Sequence, residues 1–244
     1  MKEAWIRFMA PVIPQTTDAL FQIIDTKIRE KYTKLHLMIS SPGGSVFHGI
    51  SLYNFLKGTP IDIDTYNFGS VDSIGVVIFC AGKKRHSVPH ARFLMHGVRI
   101  NFSGNNAFDE KQLEEHLKSL KIDQQNIAKI IADTTGKTLQ MVEDDMNNRT
   151  TLNPPEAKEY GLIHEIKSEL LSPNAEFFTI GEQGFQSPMV QMPSFPFAPG
   201  MPISIPLQPG QQFPFQIPPG QANSIPITQS YTKSIDLAFS TWKQ

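Results

Sequence analysis

Two junctions in this sequence hold residues that could act on a carbonyl carbon. One is Ser41-Pro42-Gly43-Gly44-Ser45-Val46 and the other Val71-Asp72-Ser73-Ile74-Gly75, each between a strand-like apolar run and a helix-like one. N–H groups at a helix start lack partners inside the helix and point into the crevice beyond the strand end, where they favour negative charge. A serine at the head of a buried helix is therefore well placed as a nucleophile, because those N–H groups would stabilise the oxyanion of the carbonyl it attacks. It still needs a base. His96, at the end of a later strand-like run, supplies one in the order Ser then His. Val71 stands where a Gly-x-Ser-x-Gly elbow would have its first glycine, and no Asp or Glu fills an obvious slot between Ser73 and His96, which argues against an α/β-hydrolase.

Each residue also has a plainer role. A lone serine at a strand end is usually a helix N-cap, a Gly-Gly pair a tight turn, and a single histidine a partly buried structural one. Lys83-Lys84-Arg85 reads as a solvated turn. His86, His90 and His96 do not make a metal set, since Pro89 interrupts any helical face and no carboxylate is interleaved, so neither metal nor cofactor is expected. The single cysteine, Cys80, can form neither an intrachain disulfide nor a cysteine-based metal site, which suits a reducing cytoplasm.

The elements that must carry these residues alternate between strand and helix. Residues 5–12 read as a strand, and Thr17 is the expected N-cap of a helix through Leu20, Phe21, Ile23, Ile24 and Ile28. Leu35, Leu37 and Ile39 alternate as a strand ended by Pro42-Gly43-Gly44. A helix through Val46, Ile50, Tyr53 and Leu56 follows, closed by Gly58 as a left-handed residue. Ile61 and Ile63 open the next strand, and residues 73–82 are apolar on every side, as in a fully buried helix. Short strands follow at 86–88 and 93–96, then a long helix over 108–131 stopped by Gly136. Asn153-Pro154-Pro155-Glu156 has the cap, the proline and the Glu of a helix start, with Gly161 as its end. Such repeated units predict an α/β fold with a largely parallel sheet.

Composition limits the partners. With 22 Lys+Arg against 23 Asp+Glu among 244 residues, the chain offers no basic surface for nucleic acid or an anionic membrane. The longest nearly unbroken apolar run, from Ile74 to Ala81, is far short of the roughly 20 residues that span a bilayer. The start carries Glu3, Arg7, Pro11 and Pro14, unlike a signal peptide, so a soluble, cytoplasmic protein is expected. Charge then disappears, with no Asp, Glu, Lys or Arg between Glu182 and Lys233, where 11 of the 19 prolines lie. The expected organisation is a catalytic domain over 1–168, a disordered Pro/Gln/Phe-rich tail over 169–228, and a short C-terminal segment over 229–244 with one helix or strand.

Taken in order, Ser41-Pro42-Gly43-Gly44-Ser45-Val46, Ser73 ahead of the apolar run ending Ala81-Gly82, Arg92-Phe93-Leu94-Met95-His96 and Glu156-Ala157-Lys158-Glu159-Tyr160-Gly161-Leu162-Ile163 resemble the Clp protease proteolytic subunit (ClpP) family, over Trp5 to Ile166. The resemblance implies a crotonase-like fold with a protruding handle helix, and a serine endopeptidase that assembles as a homo-oligomer of stacked rings around a chamber for peptides or unfolded proteins. It implies Ser73 as nucleophile, His96 as general base, and the N–H groups of Gly44 and Ile74 as oxyanion hole. An AAA+ unfolding ATPase is the partner it brings with it, left open here because the first strand begins almost at Met1. Two positions depart from the family pattern. Asp72 replaces a small residue before the nucleophile, and Arg149 aligns with the family's catalytic Asp, leaving Asp145, Asn147, Asn148 or no residue as the third member. A non-peptidase or inactive ring subunit of the same fold, or a phage capsid-maturation protease, are the alternatives.

Overall fold

The computed structural model describes residues 2–100, 104, 107–171 and 175–186. The part of the expected tail beyond residue 186, and the C-terminal segment with its one helix or strand, lie outside the described residues.

The first half of the fold runs β1 (Glu3–Met9), α1 (Pro14–Arg29), β2 (Lys34–Ser41), α2 (Val46–Gly58), β3 (Asp62–Asp72), α3 (Ile74–Cys80), β4 (Arg85–Ser87) and β5 (Arg92–Leu94). There follow α4 (Glu110–Thr135), α5 (Leu139–Asn147), β6 (Thr151–Leu152), α6 (Pro154–Tyr160), β7 (Glu165–Ile166), β8 (Phe177–Gly181) and β9 (Gly184–Gln186). The strands form one sheet in the order β6-β5-β3-β2-β1-β8-β9, with β4 and β7 branching from β3. Every pairing is parallel except β5 with β6 and β8 with β9. The largely parallel sheet expected from the sequence is therefore present.

β3 serves two neighbours on one side. Its first half pairs with β4 at Thr65–Asn67 and its last residues with β5 at Ser70–Asp72. The register against β2 shifts between Ile39 and Ser41, so three residues of β3 are spent where β2 spends one. That bulge turns the end of β3 away and carries Ser73 beside β5 and the histidine that follows it.

One sheet face holds Ala4, Ile6 and Phe8 of β1 with Leu35, Leu37 and Ile39 of β2, packed in one core with Leu20 and Ile24 of α1, Leu52 and Leu56 of α2 and all of α3. α3 is buried at each of its seven residues, as its unbroken apolarity predicts. Trp5, Met38 and Tyr66 form a smaller cluster on the opposite face, against Phe68, Leu170, Ala175 and Phe177.

Several local expectations need correction. α1 starts at Pro14 with Ile13 as N-cap, and Thr17 instead donates its hydroxyl to the Ile13 carbonyl at 2.9 Å from inside the first turn. Proline at the first helical position needs no N–H partner, so it fixes the start earlier than a threonine cap would. α2 ends through Thr59 in extended backbone, and Gly58 is not left-handed. Arg85 is no solvated residue: it is 9% exposed, and its guanidinium donates to the carbonyls of Leu162, Gly82, Thr134 and Gly161. Finally, the folded unit passes residue 168. β8 adds to β1 in parallel and returns through β9, so Phe177–Gln186 is part of the sheet and not of a disordered tail.

That hairpin is held by a charged knot. Lys27, 4% exposed on α1, pairs with Glu30 at 2.8 Å and Glu176 at 2.9 Å, and its ammonium lies over the rings of Tyr32 and Phe178. The Tyr32 hydroxyl also donates to Glu176. A lone charged lysine would be costly at such burial, so the carboxylates and ring faces are what keep it there.

α4 is the longest helix among the described residues. Asp109 caps it with Gln112 returning the bond, and Gly136 at φ 73 ends it. Its buried residues begin only at Ile127, so more than four turns, roughly 25 Å, extend without burial. Leu113, Leu117 and Ile122 are about half exposed there, with Leu120 half-buried.

Candidate active site

Ser73 follows directly on β3 and heads α3, with φ 57 and ψ −129. A non-glycine residue in that region is strained by about 1–3 kcal/mol, and the strain survives only where the surroundings impose it. They do: the Ser73 N–H donates to the Leu94 carbonyl at 2.8 Å, and its own carbonyl accepts from Val76 at 3.0 Å. The plain reading of Ser73 as a side-chain N-cap fails, because its hydroxyl makes no cap bond. Among the described residues Ser73 Oγ has no hydrogen-bond partner, and it opens into a cavity of about 250 Å³.

Gly43 and Gly44 lie against this serine. Gly43 is at φ 88, and a Cβ there would come within 2.6 Å of Ser73 Cβ. Gly44 is bridged to Val12, whose N–H donates to the Gly43 carbonyl and whose carbonyl accepts from Ser45, both at 2.8 Å. A Cβ on Gly44 would sit 2.3 Å from the Val12 oxygen, so only glycine lets the loop lie this close. The N–H groups of Gly44 and Ile74 donate to no backbone acceptor among the described residues, and both residues line the cavity with Ser73. Gly49 of α2 supports the far side. A Cβ on it would meet Ile74 Cγ1 at 2.2 Å, so its absence lets α2 rest on the head of α3.

His96 lines the same cavity, two residues beyond β5. Its Nδ1 lies 2.8 Å from the carbonyl of Gly97. A carbonyl only accepts, so Nδ1 carries the proton and Nε2 is left with the lone pair that a base needs. The four sequence candidates, Ser73, His96, Gly44 and Ile74, thus line one cavity, together with Met95, Val98, Ile127, Ile131 and Met146 and, among the described residues, Arg99. The hydrophobic wall from α4 and α5 was not foreseen. α5 carried no separate signal in the sequence reading, and the apolar positions of α4 pointed equally to core.

Two of the residues considered for a third member, Asp145 and Asn147, hold other partners. Asp145 accepts from the Tyr160 hydroxyl at 2.7 Å and the Thr150 hydroxyl at 3.3 Å. Burial first, then the bond to Asp145, pushes the Tyr160 phenol well above its ordinary value. Asn147 Oδ1 accepts from Gln124 at 3.3 Å, and Asn148 is the C-cap of α5. Arg149, in the slot of the expected acid, sits at φ 57 in the turn before β6. It directly precedes Thr150, whose carbonyl accepts from the Met95 N–H at 2.9 Å. Asp72 is turned away from the nucleophile: its carboxylate accepts from Ser70 and from Arg92, each at 2.8 Å. Its charge is thus compensated within the strand pair.

The family model for the Clp protease matches residues 1–169 of this chain. The chain is 33% identical over 147 residues to the ATP-dependent Clp protease proteolytic subunit 2 of Corynebacterium efficiens, covering 59% of this chain and 72% of that protein. It is 32% identical over 147 residues to proteolytic subunit 1 of Corynebacterium jeikeium, covering 59% and 76% respectively. Proteolytic subunit 2 of Corynebacterium diphtheriae is 32% identical over 150 residues, covering 60% and 73%. With a family model spanning β1 to β7, the serine turn, the histidine strand and α6, this chain belongs to the Clp protease family.

Proposed function

We propose that this chain is a serine endopeptidase of crotonase-like fold in which Ser73 and His96 act as a dyad. The observation that carries the reading is Ser73 itself, held at a strained backbone position with its hydroxyl uncapped and facing the cavity that His96, Gly44 and Ile74 also line. Strain at a side chain not used for capping calls for another use.

The reaction follows from the parts. His96 Nε2 takes the proton from Ser73 Oγ as the oxygen attacks a peptide carbonyl, and the tetrahedral oxyanion takes hydrogen bonds from the Gly44 and Ile74 N–H groups. His96 then passes the proton to the leaving amine, the C–N bond breaks, and a seryl ester remains. Water, deprotonated by the same histidine, releases the acid and restores Ser73. The Gly97 carbonyl takes the orienting place that an aspartate has in a triad. It cannot neutralise imidazolium as a carboxylate would, so a slower enzyme is expected.

The exposed apolar stretch of α4 supports a homo-oligomer, in the stacked rings that the family implies, with an AAA+ ATPase as the partner that would feed it protein. One observation favours a second reading, an inactive ring subunit: Arg149 occupies the acid's slot. Hydrolysis of a fluorogenic peptide by the full chain separates the two. Activity that disappears in Ser73→Ala with assembly intact supports the dyad, and wild-type hydrolysis in that variant contradicts it.

A further inference from the structure

Resting on the dyad reading, we propose that Asp145 and Tyr160 form a positioning pair for His96, acting through the turn between α5 and β6 rather than by touching the imidazole. The peptide N–H groups on either side of His96 are donated to that turn and to the helix end that leads into it: Met95 to the Thr150 carbonyl at 2.9 Å and Gly97 to the Met146 carbonyl in the last turn of α5 at 3.0 Å. The residue between them is thus set by where carbonyls 146 and 150 stand. The Gly97 peptide has a second duty, since its carbonyl receives the His96 Nδ1 proton.

The turn would not hold this shape unaided. It contains Arg149 at φ 57, an unfavourable backbone for a long side chain. Asp145 closes it from three sides. Its carbonyl accepts from the Thr150 N–H at 3.0 Å, one carboxylate oxygen accepts from the Thr150 hydroxyl, and the other accepts from Tyr160 on α6. Tyr160 is anchored in turn by the α6–Gly161 end, where Gly161 at φ 90 lies against the Thr135 carbonyl. Asp145 thus acts on the backbone that carries the histidine rather than on its ring.

The test compares Tyr160→Phe, Asp145→Asn and Asp145→Leu in the full chain, by peptide hydrolysis and by the rate of fluorophosphonate labelling at Ser73. Tyr160→Phe keeps the ring and removes only the hydroxyl. It is expected to lower kcat and labelling rate together by about ten- to a hundredfold, the scale of a small misplacement of a catalytic group, with KM little changed. Asp145→Asn keeps one oxygen as acceptor, and its amide N–H can donate to the other hydroxyl once that hydroxyl turns to accept, so the turn stays tied and the variant should stay within a few-fold of wild type, whereas Asp145→Leu should fall at least as far as Tyr160→Phe. Amide hydrogen exchange at Met95 and Gly97 should quicken in Tyr160→Phe whether or not the chain is active. Unchanged kcat, labelling and exchange in Tyr160→Phe overturn the pair. A loss near 10⁴ in Asp145→Asn, the scale of a neutralised triad acid, overturns it in favour of direct contact. If the wild type is not labelled at Ser73 the dyad reading itself fails, and the exchange measurement alone then decides whether the pair sets the strand end.

Discussion

Ser73 shows how a backbone angle can speak where a side chain is ambiguous. In the sequence a serine at a helix head is equally a cap, and only φ 57 with an unbonded hydroxyl separates the two roles. The strain gives a stability prediction: glycine accepts this backbone freely, so Ser73→Gly should be more stable than Ser73→Ala by about 1 kcal/mol, read from thermal unfolding, with both variants inactive. Equal stability would show that the angle costs nothing here. Gly44→Ala probes the opposite constraint. A methyl group cannot fit 2.3 Å from the Val12 oxygen, so the loop must shift its N–H, with an expected loss of about 10²–10³ in kcat. The glycine pair, the serine and the histidine of the proposed site are legible as types and order, while the group proposed to orient the histidine is not. A backbone carbonyl leaves no mark in a sequence, and Gly97 looks like any loop glycine.

At the scale of elements, Asn153, Pro154, Glu156 and Gly161 fixed α6 in advance because cap chemistry is local, and the structure has each of them in the expected role. The β8–β9 hairpin was missed for the opposite reason. Its affinity for the sheet comes from Lys27 and Tyr32, 149 and 144 residues from Glu176, and from β1, further still, and nothing local announces it. The knot has a signed pH dependence. Burial alone would raise the Glu176 carboxyl, but the Tyr32 and Lys27 bonds outweigh it and hold it below its ordinary value. A carboxyl so lowered stabilises the fold above its unfolded value, and that contribution disappears as pH falls through the folded one. Glu176→Gln should therefore speed amide exchange in β8 at neutral pH and leave little difference from wild type in acid. On the same sheet His86 stacks on Tyr66 at 4.7 Å, and burial, then Lys167, pushes its imidazole down to about 4. Between about 6.5 and 4 the unfolded chain binds the proton that the folded chain refuses, so stability should fall as pH drops through that window. His86→Phe should flatten this part of the thermal unfolding curve against pH, and an unchanged slope would contradict the assignment.

For the whole molecule, the question is what the free length of α4 meets. Leu113, Leu117 and Ile122 stand on a stretch with no buried residue and keep about half of their surface exposed among the described residues. Covering the exposed half of such side chains is worth about 1 kcal/mol each, and repeated along the helix and on a second copy that presents the same face it favours association. Sedimentation of the full chain should give a species many times its 27.4 kDa, and Leu113→Asp with Leu117→Asp should reduce it to smaller forms. A wild-type monomer at micromolar concentration would remove the ring model.

The most direct measurement on the central claim is labelling of the full chain with a fluorophosphonate, followed by peptide mapping of the modified residue. The dyad predicts one modified serine, Ser73, with labelling abolished in Ser73→Ala and strongly slowed in His96→Ala, because the hydroxyl reacts only when the imidazole takes its proton. A wild-type chain that takes up no label while folded and assembled, or one labelled equally well in His96→Ala, would contradict it.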